Sequence, residues 1–454
     1  MKIDVLMIGF RHVQATQGGI ETHVRHLAEE LASLGLNVAV AVRKRRRIEP
    51  ADAAKAHAPY RSMDPSASGT RVDFRLCRIF PDATDGSSDG AMGINTNQGE
   101  LLSTGEKAAG NKILIIPIWS PRFVAFEAIV HSLLCILYAA IVRPRIVHIH
   151  AIGPGIVAPL ASVLGLRVVA THHGQDYHRE KWGALARFVL HTGEVMQALA
   201  ANEIICVSKS LSERLTKRYR RSYTYIPNGV NEVGACHASA ILDKLALRPG
   251  GYILTVGRIV PEKRQGDLID AFNAAAITDM KLVIVGGGET GSDHVVQIAD
   301  KATRSLNVIM AGFREGADLE ALYANAAAFA LPSSHEGLPI VLLEAMAHGC
   351  ELVVSDIEPH REFAFAEESY HPVGDIHFLA DRMRNAVERS ASNGSAKDWS
   401  AQLHRYRWPA VARQALDVFR LVDHQIGQTH IPNMNEPVRA TLPTRLSLSF
   451  RSKA

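Results

Sequence analysis

The chain has 454 residues, 47% of them hydrophobic and 21% charged, which excludes a fibrous or mostly disordered protein and leaves room for two or three domains. Fifty basic residues face 46 acidic ones, and a net charge of +4 is too balanced to argue for a nucleic-acid partner. The five cysteines (Cys77, Cys135, Cys206, Cys236, Cys350) stand far apart with no CxxC pair, which argues against a disulfide scaffold or a cysteine zinc site and for a reducing, cytoplasmic setting.

In chain order, Met1 to Asp4 run straight into the apolar run Val5–Ile8, without the order of regions that marks a signal peptide. Gln17-Gly18-Gly19-Ile20-Glu21 then opens a helical pattern with Val24, Leu27, Ala28, Leu31 and Leu34 on one face and Gly35 as its stop. Two glycines admit a ligand close to the backbone, and the helix start offers unpaired amides to an anion. The spacing is not GxGxxG, and a plain strand-to-helix turn would use the same residues. The run Val38–Val42 leads into Arg43-Lys44-Arg45-Arg46-Arg47, which is either a solvated strand end or a contact for anionic lipid headgroups or a lipid-pyrophosphate acceptor. Residues 44–112 break the pattern, and Asp82 to Glu100 is expected as a mobile surface loop.

Apolar runs return at Ile113–Ile116, Ile146–Ile149, Val168–Thr171 and Ile204–Val207. The longest apolar stretch, Val124–Val142, is interrupted by Glu127 and His131 and is expected as a buried helix rather than a membrane span, with a helix dipping into a membrane surface as the lesser alternative. Thr171-His172-His173-Gly174-Gln175-Asp176 ends one strand, where ligands sit in open α/β sheets. Successive side chains diverge there, so one imidazole is expected in the cleft and one packed away, rather than both on one metal.

Tyr225-Ile226-Pro227-Asn228-Gly229-Val230 carries turn chemistry and separates a second series of runs: Tyr252–Val256, Leu282–Val285, Val308–Met310, Ala328–Leu331 and Leu352–Val354. Near-continuous Val, Ile and Leu between helical segments mean parallel strands covered on both faces, so the fold class is α/β and doubly wound. Arg258 and Lys263 follow the first strand of this series, on a loop entering a helix, where two cations can hold a pyrophosphate. Further on, Ser333-Ser334-His335-Glu336-Gly337-Leu338-Pro339 precedes a helix that is apolar nearly all round and stops at Gly349. Glu344 is the lone carboxylate of its central part, and helical side chains lean toward the N-terminus. Glu344 and Glu336 are therefore expected to reach one cleft.

Taken together, these motifs resemble the retaining glycosyltransferases of family 4, which have the GT-B fold of two facing Rossmann-like domains. The Glu-x7-Glu signature stands as Glu336 and Glu344. Gly-Gly-Ile-Glu (18–21), His-Gly-x-Asp (173–176), Ile226 to Val230 and Gly257-Arg258…Glu262-Lys263 match in order and spacing, and Tyr406-Arg407-Trp408 looks like the start of a last helix that crosses back to the first domain. His173 to Gly183 further resembles the bacterial exopolysaccharide and rhamnosyltransferase-like branch. The expected division is an acceptor-side domain over 1–226 with 44–112 as an irregular insertion, a nucleotide-sugar domain over 227–407, a crossing helix over 408–425 and a disordered tail over 426–454.

The resemblance implies transfer of a sugar from a nucleoside-diphosphate sugar to a hydroxyl of a saccharide or lipid-linked saccharide, with retention of anomeric configuration, in exopolysaccharide or cell-surface glycan synthesis. Arg258 and Lys263 would stabilise the departing diphosphate, Glu336 would sit by the donor sugar, and His173 would hydrogen-bond that sugar from the other domain. Glu344 would accept the ribose hydroxyls. Gly18, Gly19 and Asp176, the Gly312-Phe313 turn, and Gly337, Leu338, Pro339 and Ile340 would complete the donor site. No cofactor is expected, and the chain has no Asp-x-Asp pair for a diphosphate–metal clamp, so metal-independent transfer is expected. The location would be cytoplasmic, with contact to the inner membrane face if the basic run serves it. Two other classes remain open here: a GT-B sugar-nucleotide epimerase or hydrolase, and a non-catalytic sugar-nucleotide-binding scaffold.

Overall fold

A computed structural model describes residues 2–11, 18–44, 74–76, 113–121, 124–175, 177, 182–234, 240–289, 291–393, 396–424 and 426. The first sheet has eight strands: β1 (Val5–Ile8), β2 (Val38–Lys44), β3 (Phe74–Leu76), β4 (Ile113–Trp119), β5 (Ile146–His150), β6 (Val168–His172), β7 (Glu203–Cys206) and β8 (Thr224–Tyr225), in the order β3-β4-β2-β1-β5-β6-β7-β8. The second has six: β9 (Tyr252–Val256), β10 (Lys281–Val285), β11 (Val308–Gly312), β12 (Ala328–Leu331), β13 (Glu351–Ser355) and β14 (Tyr370–His371), in the order β11-β10-β9-β12-β13-β14. All pairings are parallel, as the unbroken apolar runs require. In β1, Val5 and Met7 enter the core on one face while Leu6 and Ile8 enter the core on the other. In β9, Tyr252, Leu254 and Val256 face one core and Ile253 the opposite one.

Each strand order reverses once. In the first sheet the chain leaves β1 toward β2 and returns to β5 on the other side; in the second it leaves β9 toward β10 and returns to β12. Crevices at such reversals, at the carboxyl ends of the strands, are where open α/β sheets bind ligands.

The helix Trp408–Val422 leaves the second half of the chain and packs on the helix Gly19–Ser33, where Val411, Ala415, Leu416 and Phe419 share one core with Val24, Leu27 and Leu31. Trp408 is 1% exposed, and a side chain at Gly229 would run into its indole. Deleting such a buried ring costs about 3–5 kcal/mol. Ile426, at the start of the expected tail, is fully buried in the same core. The rest of that tail, and Asp82 to Glu100, lie outside the described residues.

Two expectations are corrected. The Val124–Val142 helix is not buried all round: Leu133, Leu137 and Ile141 are 38%, 46% and 77% exposed, because the helix covers the sheet with its other side. Arg43 does not join a solvated basic run, because its side chain is 10% exposed and its guanidinium pairs with Glu127 Oε2 of that helix at 2.9 Å. Lys44 is exposed, and Arg45, Arg46 and Arg47 lie outside the described residues. Among the described residues no helix is long and apolar enough to cross a membrane.

Candidate active site

The reversal between β9 and β12 carries the charged residues. Gly257 and Arg258 leave the end of β9, and a short 3-10 turn, Pro261–Lys263, brings Lys263 back beside Gly257. The loop after β12 is tied to this turn, since Ser334 N donates to Glu262 O at 2.9 Å. That bond sets Lys263 Nζ against Glu336 Oε1 in an ion pair whose side chains are 15% and 10% exposed. Burial alone would raise the Glu336 carboxyl, but the Lys263 ammonium, with smaller help from His360 and Ser333, holds the group below its usual range. Arg258 is half-buried on the same loop, its carbonyl held by Gln265 Nε2 at 2.8 Å.

Glu344 has a different setting. It projects from the Ile340–Ala347 helix, whose N-cap is Pro339 and whose Ile340, Leu342, Leu343, Ala345 and Met346 are buried. Glu344 itself is half-buried and accepts from Tyr323 Oη at 2.9 Å. Burial raises its carboxyl, and the Tyr323 hydroxyl and the facing His26 offset only part of that. One carboxylate is thus fixed as an anion by a lysine. The other is held by a neutral donor and keeps lone pairs for a ligand.

The first domain meets this loop directly. A side chain at Gly337 would collide with the His173 carbonyl, so the close approach of the two domains depends on glycine at that position. The His172–His173 pair divides as the strand geometry requires: His172 is 1% exposed and bonded to Glu194 Oε2 at 3.1 Å, while His173 is half-buried at the cleft. Asn228 bridges the domains as well, its Nδ2 donating to Leu338 O at 2.6 Å and its Oδ1 lying 2.9 Å from His23 Nδ1. Glu362 of the second domain accepts from Ser208 Oγ and Ser210 N at 2.8 Å and from Lys209 N at 2.9 Å, capping the Lys209–Tyr219 helix of the first. Between these contacts lies a cavity of about 170 Å³, lined by Gly174, Gln175 and Ser208 on one side and Glu336, Gly337 and Glu358 on the other.

The structure therefore brings Lys263, Glu336, Gly337 and His173 together, with Arg258 on the loop of Lys263. Leu338 and Ile340 are buried beneath them. Gly18 is the extended N-cap of the first helix, and a side chain at Gly19 would meet nothing within 4 Å, so that turn is open. Gly312 ends the edge strand β11, and Phe313 beyond it is 37% exposed. Asp176 lies outside the described residues. Sequence reasoning missed Tyr323, Glu362, and the imidazoles His23 and His150 around His173. For His150 a signal existed: His148-x-His150 ends a strand, and a period of two puts both rings on one face.

The chain matches the family model of glycosyl transferases group 1 over residues 243–402 and that of glycosyltransferase family 4 over residues 101–232. It is 28% identical over 226 residues to the UDP-Gal:alpha-D-GlcNAc-diphosphoundecaprenol alpha-1,3-galactosyltransferase of Escherichia coli, covering 47% of this chain and 58% of that one. It is 26% identical over 235 residues to the O-antigen chain mannosyltransferase B of Escherichia coli, covering 49% and 58%. The chain therefore spans 58% of the length of each of these relatives. Among solved structures, Anabaena HepE in complex with UDP and glucose superposes with a TM-score of 0.65 at 14% identity, covering 93% of this chain and 100% of that one. That likeness is one of fold: the two facing parallel-sheet domains are the GT-B architecture.

Proposed function

We propose that the protein is a retaining, metal-independent glycosyltransferase that moves a sugar from a nucleoside-diphosphate sugar to a hydroxyl of a saccharide or lipid-linked saccharide, in the synthesis of exopolysaccharide or another cell-surface glycan. The observation that carries this reading is the buried Lys263–Glu336 pair at the reversal between β9 and β12, with the His173 loop packed against the adjacent Gly337. The likeness to the Escherichia coli galactosyltransferase, named for its UDP-sugar and its diphosphate-lipid acceptor, supports the donor and acceptor classes.

The difficult step is loss of a diphosphate while positive charge builds on the sugar ring. Arg258 and Lys263 supply fixed cations to the leaving group, and such preorganised partners are worth roughly 2.7–4 kcal/mol of barrier each. When the diphosphate arrives, Lys263 is shared between it and Glu336, and the carboxylate lies beside the sugar. Glu344 accepts the ribose hydroxyls with the lone pairs that Tyr323 leaves open. His173, kept neutral by burial and by the neighbouring imidazoles, hydrogen-bonds the sugar without adding charge. The acceptor hydroxyl enters on the face the diphosphate leaves, without a glycosyl-enzyme intermediate. The exposed Leu133, Leu137 and Ile141, with the basic run from Lys44, support contact with an anionic membrane surface; vesicle binding is expected to weaken as salt rises.

The test is to incubate the protein with UDP-, GDP-, ADP- and dTDP-sugars and lipid-diphosphate saccharide acceptors, and to read the anomeric configuration of the product by NMR. Transfer with retention, undiminished by excess chelator, is expected. Isomerisation or hydrolysis of donor without acceptor would replace this reading with the epimerase or hydrolase one.

A further inference from the structure

The first domain carries, at its own strand reversal, a group of imidazoles that sugar transfer does not fully use. His150 ends β5, His173 follows β6, and His23 comes from the second turn of the helix after β1. Each offers a ring nitrogen, and the three nitrogens lie within 4.8 Å of one another. His150 Nδ1 and His173 Nε2 are 3.2 Å apart. Two nitrogens bound at 2.0–2.1 Å to one tetrahedral ion sit about 3.3 Å apart, so this spacing suits a shared ion as well as a hydrogen bond.

The tautomer of His23 follows from its surroundings. Asn228 Nδ2 is committed to Leu338 O, so its Oδ1 faces His23 Nδ1 and accepts the proton there. His23 Nε2 then keeps its lone pair. That atom is buried with no hydrogen-bond partner, and His23 is 2% and His150 0% exposed. A carbonyl oxygen behind an imidazole, with a bare nitrogen in front, is the usual outer support of a metal ligand. Burial first, and the mutual repulsion of the rings second, keep His150 and His173 neutral, the form that binds metal.

We propose that His23, His150 and His173 form a site for a divalent transition metal of the Zn²⁺ class. The donor set is all imidazole, which suits Zn²⁺, Ni²⁺ or Cu²⁺ and not Mg²⁺ or Ca²⁺. Three protein ligands leave a fourth position, and half-buried His173 puts that position on the cleft side. One consequence rests on the transferase reading above: a metal that takes His173 removes it from the donor sugar, so Zn²⁺ inhibits transfer and a chelator restores it.

The experiment titrates the full chain, stripped with chelator, with Co²⁺ and then Zn²⁺. One equivalent of Co²⁺ is expected to bind with the visible absorption of a four-coordinate site, and Zn²⁺ to displace it. His150→Phe and His23→Gln are expected to abolish that absorption, and Asn228→Ala to weaken binding about 10–100-fold. Binding that lacks the visible bands and survives both histidine substitutions is adventitious binding at other histidines, and overturns the proposal. X-ray absorption of the Zn²⁺-loaded wild type needs no variant: three imidazole ligands are expected, and fewer than two would overturn it. If the trio binds Zn²⁺ but transfer is unaffected, the metal site stands and the sugar contact of His173 falls. If no transfer is found with any donor, the Co²⁺ measurement still decides the site alone.

Discussion

The two domains place the same kind of crevice on opposite sides of one cleft and fill it with opposite chemistry. At the reversal between β9 and β12 stand Arg258, Lys263 and Glu336, charged and held by loop-to-loop hydrogen bonds. At the reversal between β1 and β5 stand His150 and its neighbours His23 and His173, all held neutral by burial. The architecture sets where a ligand goes, and the side chains at the strand ends set which part of the ligand each half can hold. On the function proposed above, the charged diphosphate would lie against the second half, and the imidazoles of the first would face the sugar or hold a transition metal.

The largest effect that would break this comparison is at Glu336. Glu336→Gln keeps the shape but removes the anion, and transfer is expected to vanish while donor affinity falls only modestly; unchanged turnover in a coupled assay would remove its role. A second effect concerns buried neutral imidazoles away from the trio. Burial holds His131 and His360 at about 4, with the Glu336 carboxylate pulling His360 partly back. Their folded pKa values lie below the unfolded 6.5, so their contribution is complete above about pH 6.5 and is lost as pH falls toward 4, on the order of 3 kcal/mol each. Denaturant midpoints between pH 7 and 4.5 should fall accordingly, and a flat profile would contradict the burial.

A smaller effect is expected at the contact between domains. Glu362→Ala removes the bonds from the second domain to the start of the Lys209–Tyr219 helix and should cost about 1.5–3 kcal/mol, with a larger radius of gyration by X-ray scattering. An unchanged radius and melting temperature would show that Glu362 does not hold the domains together. The smallest is Tyr323→Phe. Loss of that donor raises the Glu344 carboxyl further, and the donor KM should rise about tenfold with kcat little changed. A fall in kcat alone would move Glu344 from binding into the chemical step.

What the sequence made legible is what depends on neighbours along the chain. Eleven apolar runs found their strands because burial on both faces leaves a local signature. Phe74–Leu76, Thr224–Tyr225 and Tyr370–His371 did not, since these short segments hold a polar or charged residue and form no continuous apolar run. The Arg258, Lys263, Glu336 and Glu344 segments were readable because each sits at a strand end or on a helix with a strong apolar pattern. Arg43 was not, because Glu127, which neutralises it, comes from a distant helix. The same limit hid the imidazole trio, which needs three strand-to-helix junctions to converge, and Asn228, whose work is to link a helix of one domain to a loop of the other.

The most direct measurement is calorimetric binding of UDP, GDP, ADP and dTDP to the wild type and to the Arg258→Ala and Lys263→Ala variants. The account predicts that one nucleoside diphosphate binds well and that each substitution weakens it at least about tenfold, the size of one lost charge-assisted bond. Equal affinity in all three proteins would contradict the claim that the second domain grips a diphosphate through these two cations.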